Sequence, residues 1–129
     1  MITETLYDGK HIDKLGFGTW SIGGRSSADP STDDSSLAAL RSAIEIGYRH
    51  FDTAEFYGAG HSEKLLGQAI HESGVPREDF FITTKISPGN LGASGTRKSF
   101  ERSLRHLAME YVDLYLIHWP RANMPLAET

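Results

Sequence analysis

Along the chain, short β-like apolar runs alternate with longer stripes at helical spacing. Leu37, Leu40 and Ile44 recur at i, i+3 and i+7, which predicts an amphipathic helix from about Asp34 to Ile46, ended by Gly47. Leu65, Leu66, Ala69 and Ile70 form a second stripe from about Glu63 to Ser73, with Ser62 as candidate N-cap and Gly74 as stop. A third helix is expected from near Thr96, burying Phe100, Leu104 and Leu107, with Arg97, Lys98, Arg102 and Arg105 on a solvated face. Between the helices lie Tyr48–Thr53, Phe80–Lys85 and Val112–His118. The last two are almost continuously apolar, the pattern of parallel strands buried on both faces. Upstream, Asp8-Gly9 between Thr5–Tyr7 and His11–Ile12 predicts a hairpin closed by a type I′ turn. Leu15 to Trp20 is another short apolar run, and Gly23–Asp34 reads as a loop. The order is a hairpin followed by βαβαβαβ, which argues for right-handed βαβ units and a parallel sheet.

A period runs through the polar residues that end these apolar runs. Thr19, Asp52, Lys85 and His118 are each 33 residues apart. One strand, one helix and two loops fill about that length in a (β/α)₈ barrel, where roughly 250 residues make eight units. The four are therefore expected at the C-terminal ends of successive parallel strands, the face on which such barrels carry their chemistry.

Bulk properties narrow the classes. The 129 residues fit one domain, with a hairpin over 1–14 and βα units over 15–129. A net charge of −4 gives no basic footprint, so nucleic acid is disfavoured as a partner. Zero cysteines exclude disulfides and thiolate metal sites. The start, Met1-Ile2-Thr3-Glu4-Thr5, lacks the basic and apolar regions of a signal peptide. No apolar run approaches the roughly 20 residues that span a bilayer. A soluble cytoplasmic protein with no membrane partner is expected.

The segment Asp52-Thr53-Ala54-Glu55-Phe56-Tyr57-Gly58 carries the sharpest chemistry. A strand delivers Asp52 to the top of the sheet, and the loop after it can bring Tyr57 back over that end. A phenol has an unperturbed pKa near 10, and a nearby ammonium favours its phenolate. Lys85 is placed to supply that ammonium, Asp52 to hold it, and His118 to orient a carbonyl or share in proton transfer. Such an acid needs a hydride source, which the protein does not itself provide. Read from the residues alone, Lys85 and Asp52 also fit a structural ion pair, Tyr57 a loop tyrosine, His118 a hydrogen-bonded strand-end histidine, and Trp20 and Trp119 caps on a barrel mouth. His11, His50, His61, His71 and His106 show no metal-ligand spacing, and no metal is expected. Gly16-Phe17-Gly18 begins like a dinucleotide fingerprint, but Ser21 stands where the next glycine is required.

Several motifs together resemble the aldo-keto reductase family: Leu15-Gly16-Phe17-Gly18-Thr19-Trp20, Phe51 to Gly58, the Glu63…Leu66-Gly67…Ala69-Ile70 helix, Ile82-Thr83-Thr84-Lys85 and Val112 to Pro120. The resemblance implies an α/β fold, a partial (β/α)₈ TIM barrel made of roughly the first four βα units behind the hairpin. It implies a catalytic tetrad of Tyr57 as general acid, Lys85 and Asp52 tuning it, and His118 guiding the carbonyl. It implies NADPH as cofactor, with the nicotinamide beside Gly18, Thr19, Trp20 and Asp52. A small-molecule aldehyde or ketone substrate would meet Trp20, Tyr57, His118 and Trp119. Pro125 to Thr129 resembles the start of the family's fourth helix, so the expectation is a truncated product whose activity and NADPH binding are impaired. A half barrel leaves sheet edges and an apolar face uncovered, which predicts self-association or association with a missing C-terminal half. The alternative is a non-catalytic half-barrel assembly module.

Overall fold

A computed structural model describes residues 2–129, so the hairpin expected over 1–14 is read from Ile2 onward. Strands β1 (Thr3–Thr5) and β2 (His11–Asp13) pair antiparallel, with Thr3 opposite Asp13 and Thr5 opposite His11. The turn between them departs from expectation. Gly9 donates to the Leu6 carbonyl at 2.9 Å, Leu6 donates to the Lys10 carbonyl at 2.8 Å, and Gly9 sits at φ 85°. Tyr7 and Asp8 are thus the centre of the turn, and the glycine after them is left-handed, the arrangement of a type I turn with a G1 bulge. The strand consequently ends at Thr5 and leaves Tyr7 in solvent.

The second sheet holds β3 (Phe17–Gly18), β4 (His50–Asp52), β5 (Phe81–Ile86) and β6 (Leu114–Ile117), parallel and in chain order. Helices α1 (Asp33–Glu45), α2 (His61–Ser73) and α3 (Ala93–Leu107) join successive strands. Sequential parallel neighbours with a helix in each connection are βα units, and the whole corresponds to part of a (β/α)₈ barrel. Leu37, Leu40, Ile44, Leu65, Leu66 and Ile70 pack the helices onto Phe51, Phe80 and Ile82, all buried. Each such side chain contributes about 1.5–3 kcal/mol on leaving water. The helices come close where Gly67 faces the Leu107 backbone, against which a Cβ would collide. Among the described residues no helix is long and apolar enough to cross a membrane.

Three further details correct the sequence reading. Helix α2 starts at His61 behind Gly60, whose φ of 90° ends the preceding turn; Ser62 is not its cap but is fully buried in the first turn. Helix α3 starts at Ala93 rather than Thr96, and Phe100 and Leu104 are only half-buried. Strand β5 is buried on both faces, but β6 is not: Leu114 and Leu116 are 40% and 39% exposed. The reason is positional. Tyr115, on one face of β6, packs on Phe100 of α3 with ring centroids 4.9 Å apart, whereas among the described residues no layer covers the opposite face, which Leu114 and Leu116 share.

Candidate active site

All four residues of the 33-residue period lie where parallel strands end. Asp52 is the last residue of β4, Lys85 the last but one of β5, and Thr19 and His118 each just follow a strand, β3 and β6. Lys85 has three N–H donors, and each finds an oxygen: Asp52 Oδ2 at 2.7 Å, the Thr53 carbonyl at 2.9 Å and Tyr57 Oη at 3.5 Å. The ammonium also lies 5.1 Å from the Tyr57 ring centroid. Because Tyr57 oxygen accepts from Lys85, its own O–H proton is free to point toward the mouth of the sheet.

Tyr57 reaches this place through an unusual stretch of backbone. It opens a 3-10 turn, Tyr57–Gly60, in which Gly58, Ala59 and Gly60 have φ of 57°, 52° and 90°. Gly58 has no room for a side chain, since a Cβ would stand 2.8 Å from the Gly23 carbonyl oxygen, and its N–H donates to the Arg25 carbonyl at 2.5 Å. These contacts fasten the loop expected over Gly23–Asp34 to the Tyr57 turn.

His118 sits edge-on to Tyr57, with ring centroids 5.6 Å apart, and 4.2 Å from the Trp119 ring. Burial, and then the Lys85 cation, hold its imidazole below the ordinary histidine value, so the ring is neutral at pH 7. Its Nδ1 is buried without a hydrogen-bond partner. Trp20 stacks on Phe56 at 6.1 Å and meets Tyr57 edge-on at 5.0 Å, while Trp119 meets Phe56 at 5.8 Å. Both tryptophans remain nearly half exposed. The mouth therefore has a phenol, a cation, a neutral imidazole and an aromatic rim.

Thr19 and Gly18 behave differently from one another. Thr19 is fully buried; its hydroxyl donates to the Asp52 carbonyl at 3.1 Å and accepts from the Ser62 hydroxyl at 3.0 Å. Its side chain is committed to the protein, so only its main chain could face a ligand. Gly18 is exposed, with open space where a Cβ would be.

Sequence reasoning missed the buried charges on either side of the Tyr57 turn. Glu55, its side chain 4% exposed, accepts from Ser87 N at 2.6 Å, Asn90 Nδ2 at 2.9 Å and Arg102 at 2.6 Å. Arg102, its side chain still 43% exposed, thus turns its guanidinium from the solvated face onto a buried carboxylate. Glu63 is fully buried, accepting from the Thr84 hydroxyl at 2.7 Å and sharing a hydrogen bond of 3.1 Å with His106. An acidic residue inside an apolar stretch, as in Ala54-Glu55-Phe56, was the available signal; its partners are 32 to 47 residues away and left none.

Known proteins are similar to this chain in sequence and in fold. The model of the Aldo/keto reductase family matches residues 14–129. A 9,11-endoperoxide prostaglandin H2 reductase of Trypanosoma cruzi is 45% identical over 117 residues, 90% of this chain and 37% of its own length. A methylglyoxal reductase of Salmonella typhi is 49% identical over 109 residues, 84% of this chain and 36% of its own. Among solved structures, a thermostable aldo-keto reductase crystallised with the inhibitor epalrestat superposes with a TM-score of 0.94 at 46% identity, covering 99% of this chain and 46% of that one. An aldo-keto reductase from Klebsiella pneumoniae in complex with NADPH gives a TM-score of 0.82 at 32% identity, covering 99% and 43%. The chain spans less than half the length of these relatives. With the strand order, the strand-end residues and these matches in agreement, the chain belongs to the aldo/keto reductase family.

Proposed function

We propose that this chain carries the proton-donating side of an NAD(P)H-dependent reduction of an aldehyde or ketone. The observation that carries the proposal is the Tyr57 hydroxyl, held 3.5 Å from a Lys85 ammonium that is itself paired with Asp52 at 2.7 Å. As a hydride adds to the carbonyl carbon, the Tyr57 hydroxyl proton passes to the carbonyl oxygen, and Lys85 stabilises the phenolate left behind. His118, neutral at pH 7 and edge-on to Tyr57, aligns the carbonyl oxygen by a hydrogen bond from a ring N–H. Trp20 and Trp119 hold the substrate's apolar part at the rim.

The residues at the mouth fit the nicotinamide end of the cofactor: open space over Gly18, the half-exposed Asp52 carboxylate and the Trp20 ring. Reduced nicotinamide would supply the hydride. Similarity to a structure containing NADPH supports this reading. Binding by the chain alone is expected to be weak, because it spans under half of such proteins.

The test measures NADPH oxidation against a panel of aldehydes that includes methylglyoxal. It is run on the chain alone and on the chain mixed with a fragment supplying the remaining strands of a relative. Tyr57→Phe should lose at least about 10²-fold in rate, the range assigned to a positioned general acid. Undiminished reduction by Tyr57→Phe would overturn the assignment of the acid.

A second reading, a half-barrel assembly module without redox chemistry, is favoured by one observation, the exposed Leu114 and Leu116 on the open edge strand. Light scattering above the 14.3 kDa of one chain, with no tryptophan quenching by millimolar NADPH, would favour it.

A further inference from the structure

Tyr57 is set on a turn whose position depends on residues outside the tetrad. Its contact with Lys85, at 3.5 Å, is at the outer limit of a hydrogen bond, so a small drift of the turn would break it. Something must hold the Asp52–Gly60 segment against the end of β5. Glu55, two residues before Tyr57, is attached there twice. Its main-chain N–H donates to the carbonyl of Lys85 itself at 3.3 Å, and its Oε1 accepts from the N–H of Ser87 at 2.6 Å. The two bonds bracket Ile86, the last residue of β5, and so tie Glu55 to the strand end directly after the Lys85 Cα.

The second carboxylate oxygen of Glu55 is taken by Arg102 of α3 at 2.6 Å. His106, four residues further on and so on the same helix face, presses its ring against Gly60, where no Cβ would fit, and reaches Glu63 Oε2 at 3.1 Å. Arg102 and His106 therefore brace the Tyr57 turn before and after the tyrosine. Burial opposes ionisation of Glu55, but the bonds from Ser87, Asn90 and Arg102 outweigh it and hold its carboxyl below the ordinary value. The anion that Arg102 needs is present at neutral pH.

We propose that Glu55 is a positioning residue for Tyr57, transmitting the placement of α3 and of the Ser87–Asn90 loop to the acid hydroxyl. The inference rests on the reading of Tyr57 as the acid. It predicts that loss of the Glu55 contacts moves the Phe56–Tyr57 pair while the fold persists.

Trp20, stacked on Phe56 and edge-on to Tyr57, reports that movement. In a Trp119→Phe background Trp20 is the sole tryptophan of the full chain. Under native conditions, Glu55→Ala should shift its emission to the red and lower its anisotropy. Ser87→Pro should do the same, because it deletes the N–H that Glu55 accepts at a residue whose φ of −75° already suits proline. Glu55→Gln, which keeps an acceptor for that N–H, should restore most of the signal. A merely structural glutamate would lower the melting temperature and leave Trp20 emission unchanged in the folded baseline; that result in Glu55→Ala, or in Ser87→Pro should the alanine variant not fold, overturns the proposal. Reduction surviving Tyr57→Phe would remove the acid reading without altering the fluorescence result, so the two failures are separable.

Discussion

Asp113→Ala tests how the strands are locked in register at the end of the sheet opposite the site. The Asp113 side chain is 1% exposed and accepts from Arg77 at 2.7 Å, from Ile82 N at 2.8 Å and from Lys10. One carboxylate thus joins the hairpin, the turn ahead of β5, β5 itself and the chain entering β6. Removing it leaves the Ile82 N–H without an acceptor, which costs about 1–3 kcal/mol. Breaking a fully buried ion pair reaches about 3–5 kcal/mol, but Arg77 keeps the Phe80 and Tyr111 carbonyls and the Tyr111 ring. Lys10, 42% exposed, adds little. The expected loss for Asp113→Ala is about 3 kcal/mol, and for Asp113→Asn, which keeps an acceptor for Ile82, about half of that. Urea unfolding at pH 7 measures both, with midpoints falling by roughly 2 M for the alanine variant at a slope of about 1.5 kcal/mol/M. The sign with pH follows from the same contacts. Burial alone would raise the Asp113 pKa, but the bonds from Lys10, Ile82 and Arg77 pull it below its ordinary 3.8. A depressed carboxylate stabilises fully above its unfolded value and loses that contribution as pH falls through its folded value. The gap between wild type and Asp113→Asn should therefore be full above about pH 5 and shrink below pH 4. A gap constant down to pH 2, or an alanine variant within about 0.5 kcal/mol of wild type, as at an ordinary surface site, would refute the reasoning.

Other positions give independent checks. Gly67→Ala should drive α2 from the Leu107 backbone and cost about 1–3 kcal/mol in overpacking, read as a lower thermal midpoint; an unchanged midpoint would show that the helices can separate freely. Ala59→Gly should do the opposite and stabilise by roughly 1 kcal/mol, because Ala59 is exposed at φ 52° and a left-handed non-glycine residue carries about that strain. Histidine NMR should find His118 titrating below 6.5, and Lys85→Met should raise its midpoint only in part, since burial is the larger cause. A full return to 6.5 in that variant would mean the lysine charge dominates.

The sequence was most legible where a residue's role is local. Gly47 and Gly74 end helices because both adopt positive φ, and the stripes of Leu37 to Ile44 and Leu65 to Ile70 are buried as their spacing required. Helix starts were less legible. Gly60 and Gly92 lead α2 and α3 from positive φ with no side-chain cap, so nothing in Ser62 or Thr96 marked the boundary. The ion pairs of Glu55, Glu63 and Asp113 were hidden because their partners lie on other elements, where only tertiary packing decides the contact. Strand β6 misled for a related reason: its composition suits a strand covered on both faces, while α3 covers only the Tyr115 face and leaves Leu114 and Leu116 open.

The 33-residue period shows why Asp52, Lys85 and His118 could be placed at one end of the sheet without knowing the register. In the sheet itself the partners are not the periodic residues: Gly18 pairs with Asp52, Asp52 with Thr83 and Lys85 with Leu116, offsets of 34, 31 and 31. Against a constant 33, Thr19 to His118 drift by three residues across three strand pairings, an average of one residue per strand. A barrel of eight strands with a shear of eight has the same average stagger, because its strands lean across the axis. Residues one period apart in sequence are therefore level with one another along the barrel axis although they are not ladder partners. That levelness is what lets Lys85 reach Asp52 on one side while Tyr57 and His118 close over it from the others. A flat sheet with the same offsets would place His118 several residues beyond the others along the strands; the tilt of the strands converts the offset into a ring at one end.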